Sequence, residues 1–316
     1  MARVLIRRLA LSVPILLGMS VLVFLIIRLV PGDPVLAVLG LNATPELIAS
    51  LREELGLNDP IYVQYVNWLT DLLRGDFGLD YRSNEAIGQL LLDRLPVTIE
   101  LTAMSMVLAI LFAIPLGVLA AVRRGRGADK ASQGISLVGI SVPDFWLGIM
   151  LILVFALGLG VLPSSGFVPL TEDPVENLRH MLLPALSLAA GLAAVLIRIT
   201  RAAMLDVLHE DYIRFTRAKG VSEGAVIFKH ALRNAAIPIV TVVGLQAGYL
   251  LGGAIVIEQV FALPGVGRLV LDSVLQRNYP VVQASVLMVG LMFVLTNVAA
   301  DLLYTVLNPK LRTQEH

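Results

Sequence analysis

The chain contains no cysteine, which excludes disulfides, thiolate metal sites, iron–sulfur clusters and cysteine nucleophiles together. Charge is scarce too. Asp, Glu, Lys and Arg make up 15% of 316 residues, against roughly one quarter in ordinary soluble domains. With 24 basic and 24 acidic residues, the balance indicates no nucleic-acid partner. The four histidines (His180, His209, His230, His316) are scattered without the spacing of a zinc helix motif. No P-loop ending in Gly-Lys-Ser or Gly-Lys-Thr occurs, so ATP is not held in that mode. Asp76, Phe77 and Gly78 spell a kinase magnesium triplet, but no catalytic-loop sequence accompanies it. The expectation is a non-enzyme that binds no cofactor or metal of its own.

What is present is hydrophobicity. Apolar and aromatic residues make up 57% of the chain and the mean hydropathy is +0.83, so the bilayer is the expected solvent. A helix needs about 20 mostly apolar residues to cross, because every backbone amide must be satisfied within the segment. Six stretches qualify, at about 9–30, 98–122, 133–160, 180–204, 237–260 and 282–306. The first is too long for a signal peptide and has no small-x-small cleavage site after it, so it reads as a retained helix. Placing the N-terminus in the cytoplasm makes 1–8, 123–132, about 198–236 and 307–316 inside segments, and these hold sixteen of the 24 basic residues, including Lys130, Lys219, Lys229 and Lys310. That is the positive-inside pattern, and it predicts that both termini are cytoplasmic.

The predicted fold is therefore an all-α integral membrane protein with six transmembrane helices and a helical extracytoplasmic segment after the first. The boundaries are an N-terminal span (1–30), an exterior helical part (31–96), a five-helix core (97–308) with a cytoplasmic loop at about 205–236, and a tail (309–316). In the exterior part, Thr44-Pro45-Glu46 and Asp59-Pro60 are helix starts, Gly75 is a helix stop, and an amphipathic piece at 84–95 leads into the second span. After the fifth span, Pro264 and Gly265 predict a turn, followed by a short helix over 268–277 that is half sunk in the interface or tucked back into the protein.

Polar and small residues inside the spans point to packing and to a path. Gly244, Gly248 and Gly252 repeat at intervals of four on one helix face, which permits close helix approach within the chain or with a second subunit. Asp144 follows Pro143 near the middle of the third span. An acid there faces the bundle interior or water, and the proline kinks the helix, so a place on a translocation path competes with a buried structural hydrogen bond. Gln246 and Asn297 carry the same two readings.

The loop at 206–238 carries most information. Gly220 breaks a first helix and Ser222 is placed to cap a second, so two short basic helices form a rigid knob. By physics alone the knob suits anionic lipid headgroups as well as a protein groove. Its residues resemble the cytoplasmic loop of the membrane subunits of binding-protein-dependent ATP-binding-cassette importers. Ala218, Gly220 and Leu232 match, with Pro238 displaced, while Arg214, Phe215 and Thr216 stand where the acidic-Ala-Ala triplet would fall. The string 211–220 with 230–238 is similar to the peptide-importer branch, as are 29–34, 75–79, 261–267, Tyr279-Pro280-Val281 and Asn308-Pro309, and the resemblance covers nearly the whole chain.

It implies a B-type permease for dipeptides, oligopeptides or glutathione in the cytoplasmic (inner) membrane of a prokaryote. Arg214, Arg217, Ala218, Lys219, Gly220, Val221 and Ser222 would couple it to ATPase subunits. The implied partners are two such ATPases carrying ATP and Mg, a second related permease forming a heterodimer, an extracytoplasmic substrate-binding protein and the lipid bilayer. Nickel or another non-peptide cargo is an alternative. An ion-gradient-driven secondary transporter is another, although one mid-membrane acid and no clear repeat give it little footing.

Overall fold

A computed structural model describes residues 2–29, 35, 44–54 and 56–307. The motif positions 30–34 and 308–309 and the predicted tail lie outside them. Among the described residues the structure is helical, with one isolated bridge between Leu79 and Ala86. Helix α1 spans Ala2–Leu29, α2 Pro45–Glu54, α3 Ile61–Leu73 and α4 Ile87–Val122. Then come α5 (Gly127–Ser141), α6 (Asp144–Leu151, continued by a π-helical turn Ile152–Gly158), α7 (Pro174–Leu208) and α8 (Asp211–Ala218). The long α9 spans Glu223–Val260 with a π-helical stretch at Val226–Ala231, and α10 (Val266–Leu275) and α11 (Tyr279–Leu307) complete the chain.

Four of these, α4, α7, α9 and α11 as far as Ala300, are long and apolar enough to cross a bilayer. The span expected at 133–160, with a kink at Pro143, is two helices, α5 and α6, bent by 101°. The cause is local. Val142 still donates to Val138 O, but Pro143 has no N–H to continue the ladder, and Leu147 donates to Pro143 O in a new first turn. Only together are the two long and apolar enough to cross a bilayer, and the apolar stretch of α1, Ala10–Ile26, is shorter than the four long helices.

The bundle is built around α7. Asp173 caps it by accepting from Val175 N and Glu176 N at 3.0 Å, and Pro174 sits in its first turn, where a missing N–H costs nothing. Leu188, Leu192 and Leu196 of α7 join Leu101 and Ala109 of α4 and Leu250 and Ile257 of α9 in the main apolar cluster. Lipid tails offer helices no hydrophobic incentive to associate, so close approach must do it. Gly117 of α4 lies against Thr200, and Gly139 of α5 against Ala194. At the edge, α1 packs on α11, while Phe24 of α1 stacks against Tyr65 and Trp68 of α3. Much of the apolar surface of α1, including Leu11, Ile15, Leu22 and Ile26, is exposed, as suits a helix bathed in lipid.

The exterior helices start and stop near the expected residues, with one difference. Thr44 Oγ1 accepts from Leu47 N, and Gly75 ends α3 at φ +85°. Asp59, however, makes no side-chain cap. Pro60 occupies the cap position, and the Gln64 side chain ties the turn down through Asp59 O and Leu57 O. Helix α10 begins at Val266 rather than 268 and is tucked back, packing on α9, α11 and α4.

Candidate functional site

Helices α8 and α9 meet in a tight corner at one end of the bundle. Lys219 N donates to Phe215 O and Gly220 N to Arg217 O, closing α8. Gly220 then turns the chain at φ +75°, which side-chain-bearing residues adopt only with strain. Ser222 stands at the next cap position, but its hydroxyl makes no cap bond. Its carbonyl accepts from Val226 N at 2.9 Å instead, which corrects the expected side-chain cap.

One residue anchors the corner to the body. Ile213 is fully buried among Val118 and Ala121 of α4, Met204 of α7, and Val226, Ala231 and Ala235 of α9. The Tyr212 hydroxyl accepts from Asn234 Nδ2 at 2.6 Å, and Arg217 Nε donates to Glu223 Oε1 at 2.7 Å across the Gly220 turn. Nearly everything else faces outward. Arg214, Ala218, Lys219, Gly220 and Ser222 are exposed, Val221 is half-buried, and Phe215 and Phe228 are 69% and 65% accessible. Two exposed phenylalanines among cations, on a corner pinned by a buried isoleucine, form a surface shaped for a partner.

Beside this knob, Asp129 of α5 is buried and takes a two-pronged bond from Arg201 of α7, Nε at 2.6 Å and Nη2 at 2.9 Å. Gly125 N and Gln133 Nε2 complete its shell, both at 2.8 Å. This planar pairing fixes α5 to α7 at the knob end. Sequence reasoning missed it, because neither residue lies in a motif and their separation of 72 residues carries no periodic signal.

At the opposite end of α9, Glu258 is fully buried and was also missed. Its Oε1 accepts from Thr98 Oγ1 of α4 at 2.6 Å and its Oε2 from Arg268 N of α10 at 2.8 Å, while Thr98 Oγ1 accepts from Val266 N. A Cβ at Gly265 would overlap the carboxylate. The available signal was an acid within an apolar run just ahead of Pro264-Gly265 and Gly267, since an acid at such depth is retained only when satisfied.

The structure does not gather the three polar path candidates into one cluster. Asp144 is half-buried in the first turn of α6. Its Oδ1 lies 3.0 Å from where a Cβ at Gly191 of α7 would stand, and its Oδ2 3.9 Å from that of Gly253 of α9. Gln246, two turns from Gly253 along α9, shares that face. Asn297 lies on α11 between Phe293 and Ala300, the residues that meet Gly248 and Gly244, and its Nδ2 donates to Phe293 O. It therefore belongs to the far side of α9. A Cβ at Gly244 would stand 2.5 Å from Ala300 Cβ, while Gly252 meets nothing within 4 Å.

The fold and the site together are those of a helical membrane protein, a bundle with helices of membrane-crossing length and a basic knob at one end. The chain belongs to the family of binding-protein-dependent transport system inner membrane components, whose profile matches residues 113–313, while residues 1–102 match the N-terminal profile of such membrane components. It is thus a multi-pass protein of the inner membrane. It is similar to the glutathione transport system permease protein GsiC of Escherichia coli K12, 46% identical over 307 residues, which cover 97% of this chain and 98% of that protein. The GsiC of Salmonella typhi is 45% identical over 306 residues, covering 97% of each. Two solved structures share the fold. One is an inward-facing MetNI methionine ABC transporter (TM-score 0.58, 20% identity, 70% of this chain and 97% of that one). The other is an amino acid ABC transporter with histidines (TM-score 0.51, 16% identity, 68% and 93%).

Proposed function

We propose that this chain is the B-type permease of an ATP-binding-cassette importer for short peptides, glutathione-like ones among them. It would cross the membrane six times with both termini and the knob in the cytoplasm. The relatives' glutathione systems support the cargo class, and the near full-length matching supports carrying it over. The observation that carries the mechanism is the knob: an exposed, charged and aromatic corner held rigid by Ile213, the Tyr212–Asn234 bond and the Arg217–Glu223 bond.

A lever of this kind needs stiffness rather than reactive groups. The surface formed by Arg214, Arg217, Ala218, Lys219, Gly220, Val221 and Ser222 would seat in a groove of a cytoplasmic ATPase, and closure of two ATPases on ATP and Mg would push it. Because Ile213 joins the knob to α4, α7 and α9 in one apolar cluster, the push reaches the helices that form the body. Asp129–Arg201 carries it on to α5. A second, related permease would complete the pathway, and an extracytoplasmic binding protein would deliver cargo at the other mouth.

The test replaces Gly220 with proline, whose φ near −65° is incompatible with the observed turn, or Ala218 with glutamate. Either variant is expected to insert and assemble normally while ATP hydrolysis in reconstituted vesicles no longer drives uptake. Normal uptake with both variants would refute the coupling role.

A further inference from the structure

On the α5 side of α7 lies a cavity of about 870 Å³, lined by Gln133, Leu137 and Ile140 of α5 and by Val195, Arg198 and Arg201 of α7. Arg201 is committed to Asp129. Arg198 is exposed and has no hydrogen-bond or ion-pair partner among the described residues. An uncommitted arginine toward the inner end of a helix long enough to cross the bilayer is retained where it faces water or an anion, and here a cavity faces it.

The cavity's lining ends at Ile140 and Val195, and the face of α7 that carries Val195 and Arg198 continues one turn further to Gly191. Residues 191, 195, 198 and 202 fall on one face of α7, spaced at four, three and four. Gly191 is the residue against which the Asp144 carboxylate rests. One stripe therefore runs from an acid, over Val195, to a free guanidinium, and the seven residues from 191 to 198 rise about 10 Å. An extended chain covers about 3.3–3.6 Å per residue, so a di- or tripeptide is of that length. Such a molecule is a zwitterion with its ammonium and carboxylate at opposite ends. The 101° break between α5 and α6 sets Asp144 at the head of a new helix, one turn past Ile140, while Leu137 and Ile140 line the cavity.

We propose that Arg198 and Asp144 form a bipolar subsite for the two termini of a short peptide in transit, with Arg198 taking the C-terminal carboxylate and Asp144 the N-terminal ammonium. The inference rests on the peptide-importer reading and deepens it. A guanidinium meets a carboxylate through two parallel N–H···O bonds, whereas Asp144 offers only acceptors, so the site also fixes the direction in which the peptide travels. The apolar side chains between them accept any cargo side chain, which suits a carrier of varied peptides.

The test uses the complete importer in vesicles, with its binding protein loaded to saturation by each cargo, so that delivery does not limit the comparison. The cargoes are a tripeptide, its C-terminal amide and its N-acetyl derivative. The wild type is expected to move the free peptide about tenfold faster than either blocked form, the size of one lost charge-assisted contact. Arg198→Gln should erase the preference against the amide only, and Asp144→Asn the preference against the N-acetyl form only. Arg198→Lys, which keeps the charge without the fork, should retain part of the preference, and it decides the matter should the glutamine variant fail to assemble.

A glutamine variant that keeps the full preference overturns the proposal. So does an Arg198→Gln effect that vanishes when anionic phosphatidylglycerol is replaced by phosphatidylcholine, since the arginine would then hold a lipid phosphate. A wild-type importer that moves none of the three cargoes overturns the peptide-importer reading itself and this subsite with it, whereas uptake of all three at one rate overturns the subsite alone.

Discussion

The two ends of α9 each hold a short helix, and they hold it by opposite means. At one end α8 hangs from a single apolar anchor, Ile213, and leaves its charges and Phe215 outside, beside the exposed Phe228 of α9. At the other, α10 is bound by the buried Glu258 carboxylate, which gathers Thr98 of α4 and Arg268 N while Thr98 takes Val266 N. The first arrangement presents a surface and the second closes one. A joint that must transmit force to a partner keeps its polar groups exposed, whereas a joint that must not come apart inside the protein satisfies them internally.

The largest effect is expected where the comparison is sharpest. Glu258→Ala would leave the Thr98 hydroxyl and Arg268 N without their acceptor in a buried site, at a cost of about 2–5 kcal/mol. The result to look for is a clear drop in the thermal unfolding midpoint of the detergent-solubilised chain, together with faster hydrogen exchange in α10. An α10 as protected as in the wild type would erase the contrast between the two ends. Ile213→Ala should come next. Removing a buried isoleucine costs about 2–5 kcal/mol elsewhere, but here the loss is expected to fall on the α8 corner, with proteolysis at 211–223 rising while the bundle keeps its unfolding midpoint. Global unfolding instead would mean that the anchor serves the body and not the knob.

The smallest effect concerns the exterior loop. Burial alone would raise the Asp80 carboxyl, but it is outweighed by bonds from Arg82 N, the Asn278 side chain and Ser83, so the group sits below its ordinary value. A carboxylate depressed in the folded state contributes stability above its unfolded value and loses it as pH falls through the folded one. Since Asp80 is only half-buried, acidification below the ordinary carboxylate range should loosen the Asp80–Asn278 tie only slightly. Exchange at 79–86 should quicken there while the core stays unchanged, and Asp80→Asn should abolish that pH response. A loop equally responsive in the Asn variant would assign the effect to another group.

The helices were legible because apolar runs of membrane length have few alternatives, and Gly75 and Gly220 marked turns that only a left-handed residue closes readily. The break at Pro143 was legible as a kink, but its size was not. A proline removes one bond, and how far the axis swings depends on what packs on either side, here α7 through Gly139 and Asp144 beside Gly191. Asp129–Arg201 and Glu258–Thr98 escaped the reading because partners 72 and 160 residues apart leave no local pattern. Asp59 misled it, since Pro60 took the cap position and the turn is held instead by the Gln64 amide donating to the Leu57 and Asp59 carbonyls.

The account depends most on what the knob touches, and the absence of cysteine makes that directly measurable. A single Ser222→Cys or Phe215→Cys in an otherwise native importer, alkylated in membranes with a short reagent that carries a photoreactive group and then illuminated, should join this chain to the ATPase subunit in a yield that changes when ATP is added. Linkage to no protein, with labelling of the same cysteines by lipid-borne reagents alone, would contradict it.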